Sequence, residues 1–154
     1  MIDVEAATQA GIVVTNSPDV FIEETADHTL MLLLSAGRRL RQIDELVRRG
    51  DWRQGRPILS ALPRIWGQTL GIIGFGNIAT AVTRRAKAFG FNVIAHDPYV
   101  SELKMTAEQV EPVSMQEVLE RSDYLSLHTS LNSETKKMMG DAEFQAMKNS
   151  AILV

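Results

Sequence analysis

An α/β fold built on a parallel sheet is predicted by three features of this 154-residue chain. Apolar runs of strand length alternate with helical patterns along the chain. One run, Leu70-Gly71-Ile72-Ile73, breaks into Gly74-Phe75-Gly76-Asn77-Ile78-Ala79, and a helical pattern follows at once. A second run ends on Asp97, 21 residues after Gly76. This is the order of a dinucleotide-binding βαβ unit. Its glycines permit a tight turn and close backbone approach to a pyrophosphate, the helix offers its N-terminal amides, and the acid accepts from ribose hydroxyls. The expected architecture is a Rossmann-type doubly wound parallel sheet, with NAD as the implied cofactor.

The details of this unit refine that expectation. The third small position is Ala79, a substitution the fingerprint allows because the position serves close packing of helix on strand. Asp97 would face the 2′-phosphate of NADP, and the repulsion would act in a partly dehydrated pocket, so NAD is favoured and NADP disfavoured. The helix places Ile78, Val82, Ala86 and Phe89 on one stripe, carries Arg84, Arg85 and Lys87 toward its negative end, and stops at Gly90. Residues 91–97 then form the second strand.

Composition bounds the remaining possibilities. Lysine and arginine total 16 against 19 acids, a net charge of −3, which supplies no electrostatic footprint for nucleic acid or an anionic membrane. With 45% hydrophobic residues the chain can bury a core of ordinary size. The absence of cysteine excludes a disulfide scaffold, a thiol nucleophile and thiolate metal sites. The longest strongly apolar run, 30–34, is too short to span a membrane, and no export signal opens the sequence. A cytoplasmic location is expected.

Before the dinucleotide unit, residues 11–15 read as a strand and Asn16-Ser17-Pro18-Asp19 as a turn. A long helix is expected over about 23–49, with Glu23, Glu24 and Asp27 near its start, Gly37 as a bending point and Gly50 as its stop. Its centre, Leu30-Met31-Leu32-Leu33-Leu34, is apolar all round and implies packing on more than one side. The acids near its start, with His28, could hold a cation, but complementarity to the helix dipole accounts for them and no metal site is expected. Residues 51–67 have no period and read as an arm or linker. Trp52 and Trp66 there pack either on the parent domain or at a subunit contact.

After the dinucleotide unit, residues 110–113 make a short strand broken by Pro112. Ser114-Met115-Gln116-Glu117 forms a capping box, with Val113 and Val118 as a hydrophobic staple. A helix, a strand over 123–128, a polar turn, a short helical segment over 133–139, a helix begun by Asp141 and a strand over 151–154 complete the pattern.

Several separated strings carry a resemblance across nearly the whole chain. Val14-Thr15-Asn16-Ser17-Pro18, Glu24-Thr25-Ala26-Asp27-His28-Thr29-Leu30, residues 70–77, Arg85-Ala86-Lys87-Ala88-Phe89-Gly90, His96-Asp97-Pro98-Tyr99 and residues 147–154 resemble the D-isomer-specific 2-hydroxyacid dehydrogenases. The Glu-Glu-Thr-Ala-Asp and Asp-Pro-Tyr strings are most similar to the branch holding the C-terminal-binding-protein corepressors and phosphoglycerate dehydrogenase relatives. The resemblance implies that Gly74, Gly76 and the dipeptide Asn77-Ile78 meet the pyrophosphate, that Asp97 holds the adenosine ribose, and that His128, Thr129 and Ser130 line the cofactor. Position 130 departs from the proline often found there. Glu134 and Thr135 match a helix start, a structural cap in this reading.

The resemblance also implies a division of labour. Residues 1–16 correspond to the last piece of a substrate domain and 17–154 to an NAD-binding domain incomplete at its C-terminus, so the expected fold is truncated at both ends. The arginine, glutamate and histidine that act on substrate in such enzymes fall beyond Val154, and no catalytic residue is expected within the chain. Two functions follow. One is the cofactor domain of an oxidoreductase moving hydride between NAD(H) and a 2-hydroxy or 2-keto acid; the other is an NAD-responsive, corepressor-like assembly module without turnover. A methyltransferase shares the glycine turn and ribose acid but not the other strings. A homodimer through the cofactor domain is implied, and neither nucleic acid nor membrane is an expected partner.

Overall fold

The computed structural model describes residues 2–17 and 19–154. Four helices come first: α1 (Val4–Gln9), α2 (Ile22–Gly37), α3 (Leu40–Arg48) and α4 (Trp52–Ala61). The alternating part follows as β1 (Thr69–Ile73), α5 (Asn77–Ala88), β2 (Asn92–His96), α6 (Glu102–Ala107), β3 (Glu111–Pro112), α7 (Met115–Arg121), β4 (Tyr124–Leu127), α8 (Asp141–Ala146) and β5 (Ile152–Leu153). The strands form one sheet in the order β3-β2-β1-β4-β5, every pair parallel. The chain therefore starts at β1, winds outward to β3, and crosses back to β4. The crevice between the carboxyl ends of β1 and β4 is the topological switch point, where open α/β sheets take their ligands.

Both faces of the sheet are buried, as apolar runs without alternation require. Leu70, Ile72, Val93, Ala95 and Tyr124 face a core shared with Ala26, Leu30 and Leu33 of α2 and Ala79, Val82 and Ala86 of α5. Ile73, Ile94 and Leu125 point to the opposite face, against Val118 and Leu119 of α7. Gly71 sets the spacing on that side, since a Cβ there would stand 1.9 Å from Ser122 Oγ and 2.9 Å from Val118 Cγ2. The capping box is present in full, Glu117 N–H donating to Ser114 Oγ while the Glu117 carboxylate accepts from Ser114 N–H, and Val113 packs in the cluster that holds Val118.

Several expectations are corrected. Residues 11–15 form no strand: no strand pairs with them, and Ile12 and Val13 are 61% and 85% exposed. Pro18, within the expected turn, lies outside the described residues. The long helix is two helices, because Arg39 adopts φ 49° and turns the chain between α2 and α3. Gly37 marks the break for a packing reason, since a Cβ there would meet the Tyr124 hydroxyl at 2.3 Å. The arm contains α4, and Pro57 inside it obscured the helical pattern. Trp66 lays its ring on Gly90, where a Cβ would meet it at 2.3 Å, and leaves its other face to solvent. Phe89 caps α5 half-exposed instead of joining its buried stripe. The helical segment expected over 133–139 is a run of turns over 133–137, with Lys137 at φ 61°, and α6 was not expected from the sequence.

Candidate functional site

The glycine turn joins β1 to α5 at the switch point. Gly74 has φ +87°, and a Cβ there would stand 2.9 Å from the His128 carbonyl carbon and from Thr129 Cγ2, so glycine is needed for the strand ends to converge. Its N–H donates to His96 O at 2.9 Å. Phe75 is fully buried and fixes the turn from below. Gly76 differs. Its φ is −87°, open to any residue, and nothing lies within 4 Å of where its Cβ would stand. It is the N-cap of α5 without a side chain to cap it. The first turn of this 12-residue helix thus has no side-chain cap, and amides left uncapped at a helix N-terminus favour an anion.

Asp97 closes the unit. Its Oδ2 accepts from Phe75 N–H at 2.7 Å and its Oδ1 from Tyr99 N–H at 2.8 Å, so the acid at the end of β2 braces the glycine turn and its own loop together. Each oxygen retains a lone pair for a further donor. His96, preceding it, turns to β3, its Nδ1 3.0 Å from Val113 O.

A cavity of about 500 Å³ opens beside this turn. Of the eight residues expected to meet the cofactor, Gly74, Gly76, Asp97, His128, Thr129 and Ser130 line it. Asn77 and Ile78 do not. Asn77 donates through Nδ2 to Asp19 Oδ1 at 3.1 Å, and Ile78 packs against the core. The cavity also takes in Tyr99, Glu134, Thr135 and Met138, which the sequence did not mark as lining residues. Tyr99 stood in the His-Asp-Pro-Tyr string, but its contact with Glu134 joins loops 35 residues apart. The cap expected of Glu134 and Thr135 is supplied by Asn132, whose Oδ1 accepts from both of their N–H groups.

His128 follows β4, its N–H bonded to Ile73 O at 2.8 Å and its Nε2 2.9 Å from Ser126 Oγ. Burial lowers its pKa from 6.5 to about 4, so the ring is neutral near pH 7 and serves as a wall with a hydrogen-bonding edge. Thr129 Oγ1 donates to Met138 Sδ at 3.4 Å, and Ser130 O accepts from Thr135 Oγ1 at 2.6 Å, so the loop after β4 is held from behind. On the far side of the turn, Glu23 and Asp27 of α2 both take Arg85 of α5, at 2.6 and 2.7 Å, which gives these acids a packing role beyond the dipole of their own helix.

These features suit a dinucleotide: a glycine that the fold does not itself require, uncapped amides above it, a ribose acceptor at the next strand, and a cavity of nucleoside size. Comparison with known proteins gives the same answer. Residues 30–154 match the NAD-binding domain of the D-isomer-specific 2-hydroxyacid dehydrogenases. A glyoxylate reductase from Korarchaeum cryptofilum is 43% identical over 99% of this chain and 46% of its own length. A D-3-phosphoglycerate dehydrogenase from Methanocaldococcus jannaschii is 39% identical over 99% of this chain and 29% of its own. The crystal structure of a D-lactate dehydrogenase from Aquifex aeolicus, complexed with NAD and lactic acid, superposes with a TM-score of 0.89 at 31% identity, covering 99% of this chain and 45% of that one. The chain spans about half the length of the glyoxylate reductase it matches. The chain belongs to the D-isomer-specific 2-hydroxyacid dehydrogenase family, of which it carries the NAD-binding domain.

Proposed function

We propose that this chain binds NAD as the cofactor half of an oxidoreductase acting on a 2-hydroxy or 2-keto acid. The observation that carries the reading is Gly76, open above and backed by uncapped amides of α5, within reach of Asp97. In it Gly74, Gly76 and the amides of Asn77 and Ile78 receive the pyrophosphate, Asp97 accepts from the adenosine ribose, and His128, Thr129 and Ser130 wall the cavity. When bound, the dinucleotide would supply the hydride donor or acceptor for that reaction, and these residues would hold it. The chain's own part is to bind, orient and exclude water. The protein is expected in the cytoplasm, and no helix of the described residues is long and apolar enough to cross a membrane.

Asp97 makes NAD the preferred dinucleotide, since its carboxylate repels a 2′-phosphate at the ribose. Asp97→Ala tests this by calorimetric titration with both cofactors: NAD weakens about tenfold or more and the preference over NADP shrinks. An unchanged preference removes Asp97 from the account. A homodimer is the proposed assembly, favoured by apolar surface that α2, α3 and α4 leave uncovered. A corepressor-like role without turnover remains the second reading, distinguished by whether the substrate-handling arginine, glutamate and histidine accompany this domain.

A further inference from the structure

The nucleoside cavity carries two carboxylates, Asp97 from the loop after β2 and Glu134 from the loop after β4. No lysine or arginine lines it among the described residues. Two imidazoles line it, His96 and His128, and burial keeps that of His128 neutral near pH 7. The negative charge is therefore not compensated inside the cavity.

One residue holds both acids. Tyr99 donates its backbone N–H to Asp97 Oδ1 at 2.8 Å and its phenolic hydroxyl to Glu134 Oε2. The hydrogen bond and charge of Glu134 raise the phenol's pKa, so Tyr99 keeps its proton and remains a donor throughout the physiological range. Tyr99 is 80% exposed, and no packing need within the chain places it there. Its bond to Glu134 ties together the two loops that wall the cavity and fixes a carboxylate that a free glutamate would swing through solvent.

We propose that Glu134, positioned by Tyr99, is a second determinant of dinucleotide choice, rejecting a 2′-phosphorylated adenosine together with Asp97. This rests on the reading of the cavity as an NAD site. A 2′-phosphate brings close to two negative charges into a space that already holds two, and the repulsion acts at a distance, without contact. NAD, with a neutral 2′-hydroxyl, meets no such opposition. Removing Asp97 alone would then leave part of the discrimination in place, and the effect of Glu134 would weaken with added salt because its carboxylate is near solvent.

The test measures dissociation constants of NAD and NADP by calorimetry for the full chain and for Glu134→Gln, Tyr99→Phe, Asp97→Asn and the Asp97→Asn/Glu134→Gln pair, at low and high salt. Glu134→Gln is expected to leave NAD affinity within about twofold and to tighten NADP roughly three- to tenfold at low salt, in the wild-type and Asp97→Asn backgrounds alike, with a smaller gain at high salt. Tyr99→Phe is expected to give part of that gain. An NADP-to-NAD ratio that Glu134→Gln does not move, with NAD still bound, overturns the role of Glu134. A ratio moved by Glu134→Gln but not by Tyr99→Phe overturns the positioning by Tyr99. A wild-type chain that binds neither nucleotide overturns the NAD reading and this inference with it.

Discussion

Gly74 sits at φ +87° with the His128 backbone 2.9 Å from the place of its missing Cβ, whereas Gly76 has an ordinary φ and nothing within 4 Å. In the sequence the two look equivalent, both simply members of the same spaced motif. Only the packing separates a glycine that the fold needs from one that it does not. The same holds for Asp97: its spacing from Gly76 announced a ribose acceptor, but its bonds to Phe75 and Tyr99 N–H depend on where two loops meet. His128 gives a pH prediction at this scale. Its folded pKa is about 4 against an ordinary 6.5, so between those values the unfolded chain binds more protons and stability falls on acidification. Its contribution is fully present above about pH 6.5 and is lost as the pH falls through about 4, amounting to at most about 3 kcal/mol. Urea titrations from pH 7 to 4 should show a steeper decline for the wild type than for His128→Gln, the carboxylates contributing equally to both. Parallel declines would show that burial does not hold the ring neutral.

Among the elements, those with a strong local signal were legible. The capping box at Ser114, the strand runs of β1, β2 and β4, and the stop at Gly90 each rest on short-range chemistry, and each is present. Elements decided by tertiary partners were not. An apolar stretch over 11–15 had the composition of a strand but no strand to pair with, and α2 ends where Gly37 passes close to Tyr124, far away in sequence, just before the turn at Arg39. The apolar centre of α2 is resolved into two faces, Leu30 and Leu33 buried against the sheet, Met31 and Leu32 49% and 42% exposed. Leu40, Val47 and Trp52 extend this exposed surface along α3 and α4. The proposed dimer covers it. Light scattering should give twice the chain mass, and Leu32→Glu should shift it toward the monomer, since a charge in an apolar interface is strongly disfavoured. A monodisperse wild-type monomer at high concentration contradicts the dimer.

For the molecule as a whole, the winding order of the sheet does the positioning. Because β2 and β4 flank β1 on opposite sides, the loops bearing Asp97 and His128 are brought to either side of the glycine turn, though 31 residues of chain separate them. That convergence was legible once the strands were, since a parallel sheet begun at β1 and reversed after β3 has its crevice at one place. The far wall of the cavity, Tyr99 against Glu134, was not legible, because nothing local couples the two loops. We propose that Gly76 is glycine for a dinucleotide and not for the fold. The most direct measurement of this is calorimetric titration of the chain with NAD beside Gly76→Val, with urea unfolding of both. Wild type is expected to bind NAD, and Gly76→Val to lose at least about tenfold in affinity while its unfolding free energy changes by no more than about 1 kcal/mol. NAD affinity unchanged by the added side chain, or a wild-type chain that does not bind NAD, would contradict it.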